Sequence, residues 1–220
     1  MDPKINKYLS LEKEFSNRGY FLYLVGGTVR DYLLGKELGD MDIVTNATPI
    51  EMKEFLIDAD YSFEKYGSVR VKVDGDKFDI TTLRKESDYS DSRHPNKIVF
   101  TDKLEIDVYR RDLTINALYM DKNLKVIDLV GGVSDLNNKV IRMIGDPIKR
   151  ITEDPLRIVR IYRFQLETGF DIEQKTLEAM NSHLDLLKKL NKDKIIQEVK
   201  KSSSPNDLIK ILKNCDINLE

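Results

Sequence analysis

The residues with the most chemical potential in this 220-residue chain lie between Tyr23 and Asp42, in the string YLVGGTVRDYLLGKELGDMD. Gly26 and Gly27 lack Cβ, so the backbone can turn sharply there and a phosphate can approach its N–H groups. A helix expected over about Thr28 to Leu34 points its positive end at that turn. Arg30, in its first turn, offers a guanidinium for bidentate contact with phosphate oxygens. Asp40 and Asp42 open an expected strand two residues apart, which puts both carboxylates on one face with Met41 and Ile43 turned the other way. Two bare carboxylates about 4 Å apart repel by roughly 4 kcal/mol at an effective dielectric near 20. A shared divalent cation removes that repulsion, and oxygen-only ligation favours Mg²⁺. An anion-holding turn beside a cation-holding pair is the equipment of phosphoryl or nucleotidyl transfer. A lone Gly-Gly is usually just a turn, and a lone Asp-x-Asp a solvated strand end. The joined string GGxVRDxLLGxxxxDxD is far more specific than either.

Composition sets the frame for these residues. At 40% hydrophobic and 34% charged, the chain has the make-up of a globular protein with a real core, in one large domain or two small ones. A net charge of −2 gives no passive polyanion-binding surface, so nucleic-acid contacts must come from local Lys and Arg clusters. A single cysteine, Cys215, excludes an internal disulfide and a Cys-based zinc site, and the two histidines, His94 and His183, are far apart in sequence. No stretch has the length of a bilayer span or the layout of a signal peptide, and a reducing, cytoplasmic setting is the expectation. Composition gives neither an oligomeric state nor a role for Cys215.

Stepping outward, the elements that must position these residues follow in order. Residues 4–17 carry Ile5, Leu9, Leu11 and Phe15 at helical spacing. Residues 20–25 form the first strand, and Ile43 to Thr45 continue the second. Thr48, Pro49 and Glu51 make a capping box for a helix expected to reach Ala59. Residues 69–73 and 77–83 pair across Asp74-Gly75-Asp76 as a hairpin. Its return strand turns Asp79 and Thr81 away from Phe78 and Ile80, so Asp79 joins Asp40 and Asp42 if the strands are neighbours; an exposed strand carboxylate is the plainer alternative. Residues 84–96 are polar and without period, and read as a mobile loop. Arg110 and Arg111 open a short helix with Ile115 and Ala117 inward. A domain boundary is expected near 140–146, with helices beyond. In the first of these, Thr152 is the expected cap and Asp154, Arg157 and Arg160 form a slanting stripe, with Arg163 further round.

Four ordered strings carry a resemblance: GGTVRDYLLGKELGDMD, RRDLTINALYM, DLVGGVSDL and EDPLRIVRIYRF. Together they resemble the bacterial class II tRNA nucleotidyltransferases, the CCA-adding enzymes, and their poly(A) polymerase relatives, over residues 20–215. The resemblance implies an α+β fold: a DNA polymerase beta-like nucleotidyltransferase head with a small mixed sheet at 1–142, then an all-helical neck at 143–220 that reads the base. The family's usual body and tail are absent from residues 1–220, which leaves the grip on the tRNA elbow outside them. Carried over by position, Gly26, Gly27 and Arg30 meet the triphosphate, Asp40 and Asp42 hold Mg²⁺, and Arg111 and Asp112 lie near phosphates and sugar. Asp154 and Arg157 read the base, with Arg160 and Arg163 lining the nucleotide site. Asp79 as a third catalytic carboxylate rests on strand geometry.

The implied activity is template-independent addition of C, C and A to the 3′ end of tRNA from CTP and ATP, with release of pyrophosphate by a two-metal mechanism. Cytosine and adenine each offer an amino donor beside a ring-nitrogen acceptor, which a carboxylate and an arginine complement; uracil and guanine present the opposite polarity. The 84–96 loop is then a lever that adjusts Asp154 and Arg157 between C and A. A poly(A) polymerase, or a variant adding only CC or only A, remains an alternative. Poly(A) polymerases carry a basic, aromatic-containing signature after the Asp pair, and Asp42 to Ala47 shows none. CC-only enzymes have a shortened loop where this one is full length. A catalytically idle RNA- or nucleotide-binding module would be expected to have lost the carboxylate pair or a template arginine, and none is lost. A small-molecule nucleotidyltransferase would have no use for EDPLRIVR.

Overall fold

The computed structural model describes residues 2–89 and 95–219. These form two compact units, one built mainly from the chain up to 87, 97–111 and 115–132, the other from 112–114 and from 133 onward.

The first unit begins with α1 (Pro3–Ser16), capped by Asp2, whose side chain accepts from Lys4 N–H. Its apolar face, Ile5, Tyr8, Leu11 and Phe15, is buried. The Tyr8 hydroxyl donates to Leu22 O at 2.8 Å, so the one polar atom on that face is satisfied. Then come β1 (Leu22–Val25), α2 (Gly27–Leu33) and β2 (Met41–Thr45). Asp40 lies one residue before β2, not within it as expected. The capping box forms, with Glu51 N–H donating to the Thr48 hydroxyl and Thr48 N–H to the Glu51 carboxylate. The helix it starts, α3 (Pro49–Met52), is a single turn and does not reach Ala59. A cap fixes where a helix starts but does not set its length.

The hairpin is found as β3 (Ser68–Val73) and β4 (Asp76–Thr82). Asp74 and Gly75 both have positive φ, 46° and 85°, the conformation a two-residue hairpin turn requires. Residues expected to be a loop instead contain β5 (Arg84–Tyr89) and β6 (Pro95–Phe100), a two-stranded sheet; residues 90–94 of the expected lever lie outside the described chain. A backbone ladder needs no apolar period, so the pattern was silent there. After α4 (Leu104–Asp107), β7 (Tyr119–Met120) and β8 (Val126–Ile127) complete a six-stranded sheet in the order β3-β4-β2-β1-β7-β8. β2 and β4 pair in parallel and every other pair is antiparallel, the expected mixed sheet. Its core face carries Leu22, Leu24, Ile43, Phe78 and Ile80, each at most 1% exposed. Fully burying side chains of this size stabilises by roughly 1.5–3 kcal/mol each.

The second unit holds α5 (Gly132–Asn137), β9 (Val140–Ile141), α6 (Pro147–Glu153), α7 (Leu156–Thr168), β10 (Asp171–Ile172) and α8–α10 (Gln174–Ser182, Lys192–Lys200, Pro205–Asn214). Helices dominate, interrupted by the short parallel β9–β10 pair. Thr152 is not a cap. It sits inside α6, which Asp146 caps by accepting from Lys149 N–H at 2.8 Å. Asp154 is extended (φ −146°, ψ 93°) between α6 and α7, because the following Pro155 disfavours a helical conformation there.

Candidate active site

In the first unit, β1 delivers the chain into Gly26, whose φ of +68° and ψ of −131° suit glycine and strain any other residue. A Cβ on Gly26 would lie 3.7 Å from Asn116 O, 3.8 Å from Asp42 Oδ2 and 4.0 Å from Arg111 Nη1. One on Gly27 would lie 3.7 Å from Arg30 Nη2 and 3.9 Å from Asp42 Oδ2. Gly26, Gly27, Arg30, Asp42 and Arg111 are thus gathered within a few ångströms. α2 spans only seven residues, so side chains carry more of the anion-binding capacity than its dipole.

Asp42 is fixed at the backbone: its N–H donates to the Thr28 hydroxyl at 2.8 Å, tying the Asp strand to the glycine turn. Water reaches its carboxylate, yet the side chain forms part of the wall of a cleft of about 390 Å³, shared with Asp79, Arg70, Tyr66 and Phe63. Crowding by protein atoms replaces much of its hydration and is the largest influence on its pKa. Asp79, its register partner on β4, adds to the rise, and Asp40 adds less; Arg111 and Arg30 oppose it. The result is pushed up from 3.8 to about 6. Asp79 itself accepts from Arg70 Nε at 2.6 Å and Nη2 at 3.1 Å. Among the described residues no group of three or more His, Cys, Asp or Glu is gathered as a metal site.

Arg30 is 8% exposed and held in place, donating to both Asp31 oxygens at 2.9 Å and to Asn116 Oδ1 at 2.7 Å. Arg111 donates to Asp107, a fully buried carboxylate that the motif reading passed over. Its position relative to Arg110 and Arg111, three and four residues on, is the spacing of helical side-chain neighbours and could have flagged it. Arg70 was equally legible, because a two-residue turn at 74–75 sets it opposite Asp79.

In the second unit the hub is Asp112. Its carboxylate accepts from Arg157 Nε at 2.7 Å and from Arg160 Nη1, with Arg150 Nη2 at 3.8 Å. Burial alone would raise its pKa; Arg160 and Arg157 outweigh burial and hold it well below the usual carboxylate range. Arg157 also donates to Arg150 O. Asp154, 3% exposed, accepts from Leu156 N–H at 3.1 Å through Oδ1, while Oδ2 has a looser 3.4 Å contact with Arg160. Burial raises its pKa, Arg160 and Arg157 counteract, and the net shift is upward. Arg163 lies on α7 beside Glu198 of α9, an ion pair of 3.5 Å that Arg160 joins at 3.7 Å. Asp154, Arg157 and Arg160 therefore do cluster, around an aspartate from the second sequence string.

A mixed sheet that brings a glycine turn against an aspartate pair is the nucleotidyltransferase head fold. The chain belongs to the Poly A polymerase head domain family, which matches residues 22–142. It is 41% identical over 192 residues to the CCA-adding enzyme of Lactobacillus helveticus (strain DPC 4571), covering 87% of this chain and 48% of that protein. Among solved structures it matches the Bacillus stearothermophilus CCA-adding enzyme in complex with CTP, with a TM-score of 0.86 and 31% identity over 97% of this chain and 53% of that one. A tRNA nucleotidyltransferase complexed with a primer tRNA and an incoming ATP analog matches with a TM-score of 0.76 and 30% identity over 95% and 60% of the two chains. The chain thus spans about half the length of these relatives.

Proposed function

We propose that this chain carries the catalytic head, residues 1–142, and the base-reading neck, residues 143–220, of a cytoplasmic CCA-adding tRNA nucleotidyltransferase. The carrying observation is the convergence of Gly26, Gly27, Arg30 and Arg111 on Asp42. It joins anion-binding groups to a carboxylate whose pKa is raised first by crowding and then by the neighbouring Asp79 and Asp40 carboxylates. Neighbouring carboxylates fit a divalent cation, and Mg²⁺ suits the all-oxygen donors Asp40 and Asp42. When bound, Mg²⁺ supplies Lewis-acid stabilisation of the reacting phosphate and acidifies the attacking hydroxyl.

The chain's own residues do the rest. The backbone N–H of Gly27, with Arg30 and Arg111, orients the triphosphate of CTP or ATP, while Gly26, whose own N–H donates to Leu118 O, makes the turn. The 3′-hydroxyl of the RNA gives up its proton to solvent water as its oxygen bonds to the α-phosphorus; the bond from that phosphorus to the oxygen bridging to the β-phosphate breaks, and pyrophosphate departs with that oxygen. Asp79, already accepting two bonds from Arg70, is suited to orient the hydroxyl rather than to take its proton. In the second unit, Asp154 Oδ2 accepts from the amino group of cytosine or adenine and Arg157 donates to the ring nitrogen. Arg157 must then exchange part of its present set of acceptors, while Asp112 and Arg160 hold the surrounding charge.

The test is incorporation of α-labelled CTP, ATP, UTP and GTP by the protein with Mg²⁺ and tRNA transcripts lacking CCA, at high RNA concentration. C and A enter and U and G do not. Binding of CTP without any transfer would favour the idle, nucleotide-binding alternative.

A further inference from the structure

Asp107, at the end of α4, is fully buried and gathers donors from four directions. Its Oδ1 accepts from Arg110 Nε at 2.7 Å and from Arg84 N–H, at the start of β5, at 3.1 Å. Its Oδ2 accepts from Arg111 Nε at 3.1 Å and Nη2 at 2.9 Å, and from the Tyr119 hydroxyl at 2.9 Å. Burial would raise its pKa; Arg110 and Arg111 overcome it and hold the carboxyl well below the usual range, so the group is an anion throughout.

The consequence falls on Arg111. Asp107 takes the Nε/Nη2 edge of its guanidinium, the Tyr119 ring lies beside it with its centroid at 5.2 Å, and the Tyr119 oxygen accepts from Nε at 3.2 Å. The remaining nitrogen, Nη1, is the one turned toward Gly26. An arginine on a flexible stem loses rotamer entropy whenever it binds a phosphate; one already held on an edge and a face loses less. Arg84 is paired to Glu86 at 2.7 Å and Arg110 to Glu86 at 3.6 Å, which ties the same cluster to β5.

We infer that Asp107, assisted by Tyr119, is a positioning residue for nucleotide binding, fixing Arg111 with Nη1 aimed at the glycine turn where the triphosphate binds. The inference rests on the proposed function, in which Arg111 meets the triphosphate. Because the triphosphate is common to every nucleotide, loss of this positioning weakens CTP, ATP and tripolyphosphate alike and leaves the preference among bases untouched.

Isothermal titration with CTP, ATP and tripolyphosphate in the presence of Mg²⁺ tests this on wild type, Asp107→Asn, Tyr119→Phe, Arg111→Ala and the Asp107→Asn/Arg111→Ala double variant. Losing charge-assisted bonds in Asp107→Asn raises Kd about 10- to 100-fold for all three ligands, and losing the hydroxyl's two bonds, to Asp107 and from Arg111, in Tyr119→Phe raises it about 3- to 10-fold. The double variant binds no more weakly than Arg111→Ala alone, because both act through the same guanidinium. Wild-type affinity in a folded Asp107→Asn, or additive losses in the double variant, overturns the inference while leaving the function intact. Should Asp107→Asn not fold, Tyr119→Phe decides, and wild-type affinity there is equally fatal. Unchanged affinity in Arg111→Ala instead removes Arg111 from the triphosphate site, and the proposed function loses that contact along with this inference.

Discussion

Replacing Asp42 by Asn should stabilise the metal-free protein at neutral pH while abolishing its function. The folded carboxyl titrates near 6, above its ordinary 3.8, because it is crowded by protein atoms and faces Asp79 and Asp40. For an acid with a raised folded pKa, the folded state binds the extra proton. The charged Asp42 therefore costs stability above pH 6, and the cost disappears as pH falls from 6 toward 4. Taken at face value the shift is worth about 3 kcal/mol; water reaches this side chain, and screening reduces that to about 1 kcal/mol. In a protein of this size, 1 kcal/mol moves Tm by about 2–4 °C. Differential scanning fluorimetry in chelator should then show Asp42→Asn melting about 2–4 °C above wild type at pH 7.5, with the gap shrinking steadily as pH falls from 6 toward 4. Adding Mg²⁺ or Mn²⁺ should raise the wild-type Tm and leave the variant unmoved. Between pH 7.5 and 5 the wild type's divalent-ion affinity should fall about tenfold through proton competition, whereas a carboxyl at 3.8 would lose under a tenth. An equal or lower Tm for metal-free Asp42→Asn at pH 7.5, or a gap that ignores pH, refutes the reasoning.

Other substitutions probe the remaining parts. Asp112→Ala removes the closest carboxylate from Arg157 and Arg160 and should cost about 3–5 kcal/mol, lowering Tm on the order of 10 °C; a drop under 3 °C would show that their other acceptors suffice. Gly26→Ala forces a Cβ onto a backbone with φ of +68° and should cost about 1–3 kcal/mol by denaturant titration, with nucleotide binding lost as the turn shifts. Arg157→Ala should reduce discrimination of CTP and ATP against UTP and GTP by about 5- to 150-fold, more than it slows transfer of the correct nucleotide; unchanged selectivity ends the protein-template idea. A Gly-Ser linker in place of residues 86–94 should leave CC addition and abolish the terminal A, and retained A addition rules out the lever.

Where local chemistry decides the structure, the sequence was readable. Gly26, the Asp74-Gly75 turn and the Thr48/Glu51 box each adopted the conformation their residue types dictate, and alternation on β4 put Phe78 and Ile80 inward and Asp79 outward. Gly26, Gly27, Arg30 and Asp42, neighbours in one sequence string, also come together in the fold. What was missed depends on partners distant in sequence or on backbone pairing alone. β5 and β6 carry no apolar period to detect. Asp112 looked like part of a surface charge cluster until folding set it against Arg157 and Arg160, 45 and 48 residues on. Arg70 and Asp107 were accessible from turn register and helical spacing but were masked by attention to the motifs themselves. Thr152 was expected to cap a helix with Asp154 in its first turn, whereas Pro155 holds Asp154 extended and the helix boundary falls there.

The most direct test of the account is sequencing the 3′ ends made by the protein with CTP, ATP, UTP, GTP and Mg²⁺ on three RNAs: tRNA lacking CCA, tRNA ending in CC, and a non-tRNA oligonucleotide. The account predicts CCA on the first, a single A on the second, and no extended tail on the third, all abolished in Asp42→Asn. Homopolymeric A tails on every RNA, or additions that persist in Asp42→Asn, would contradict it.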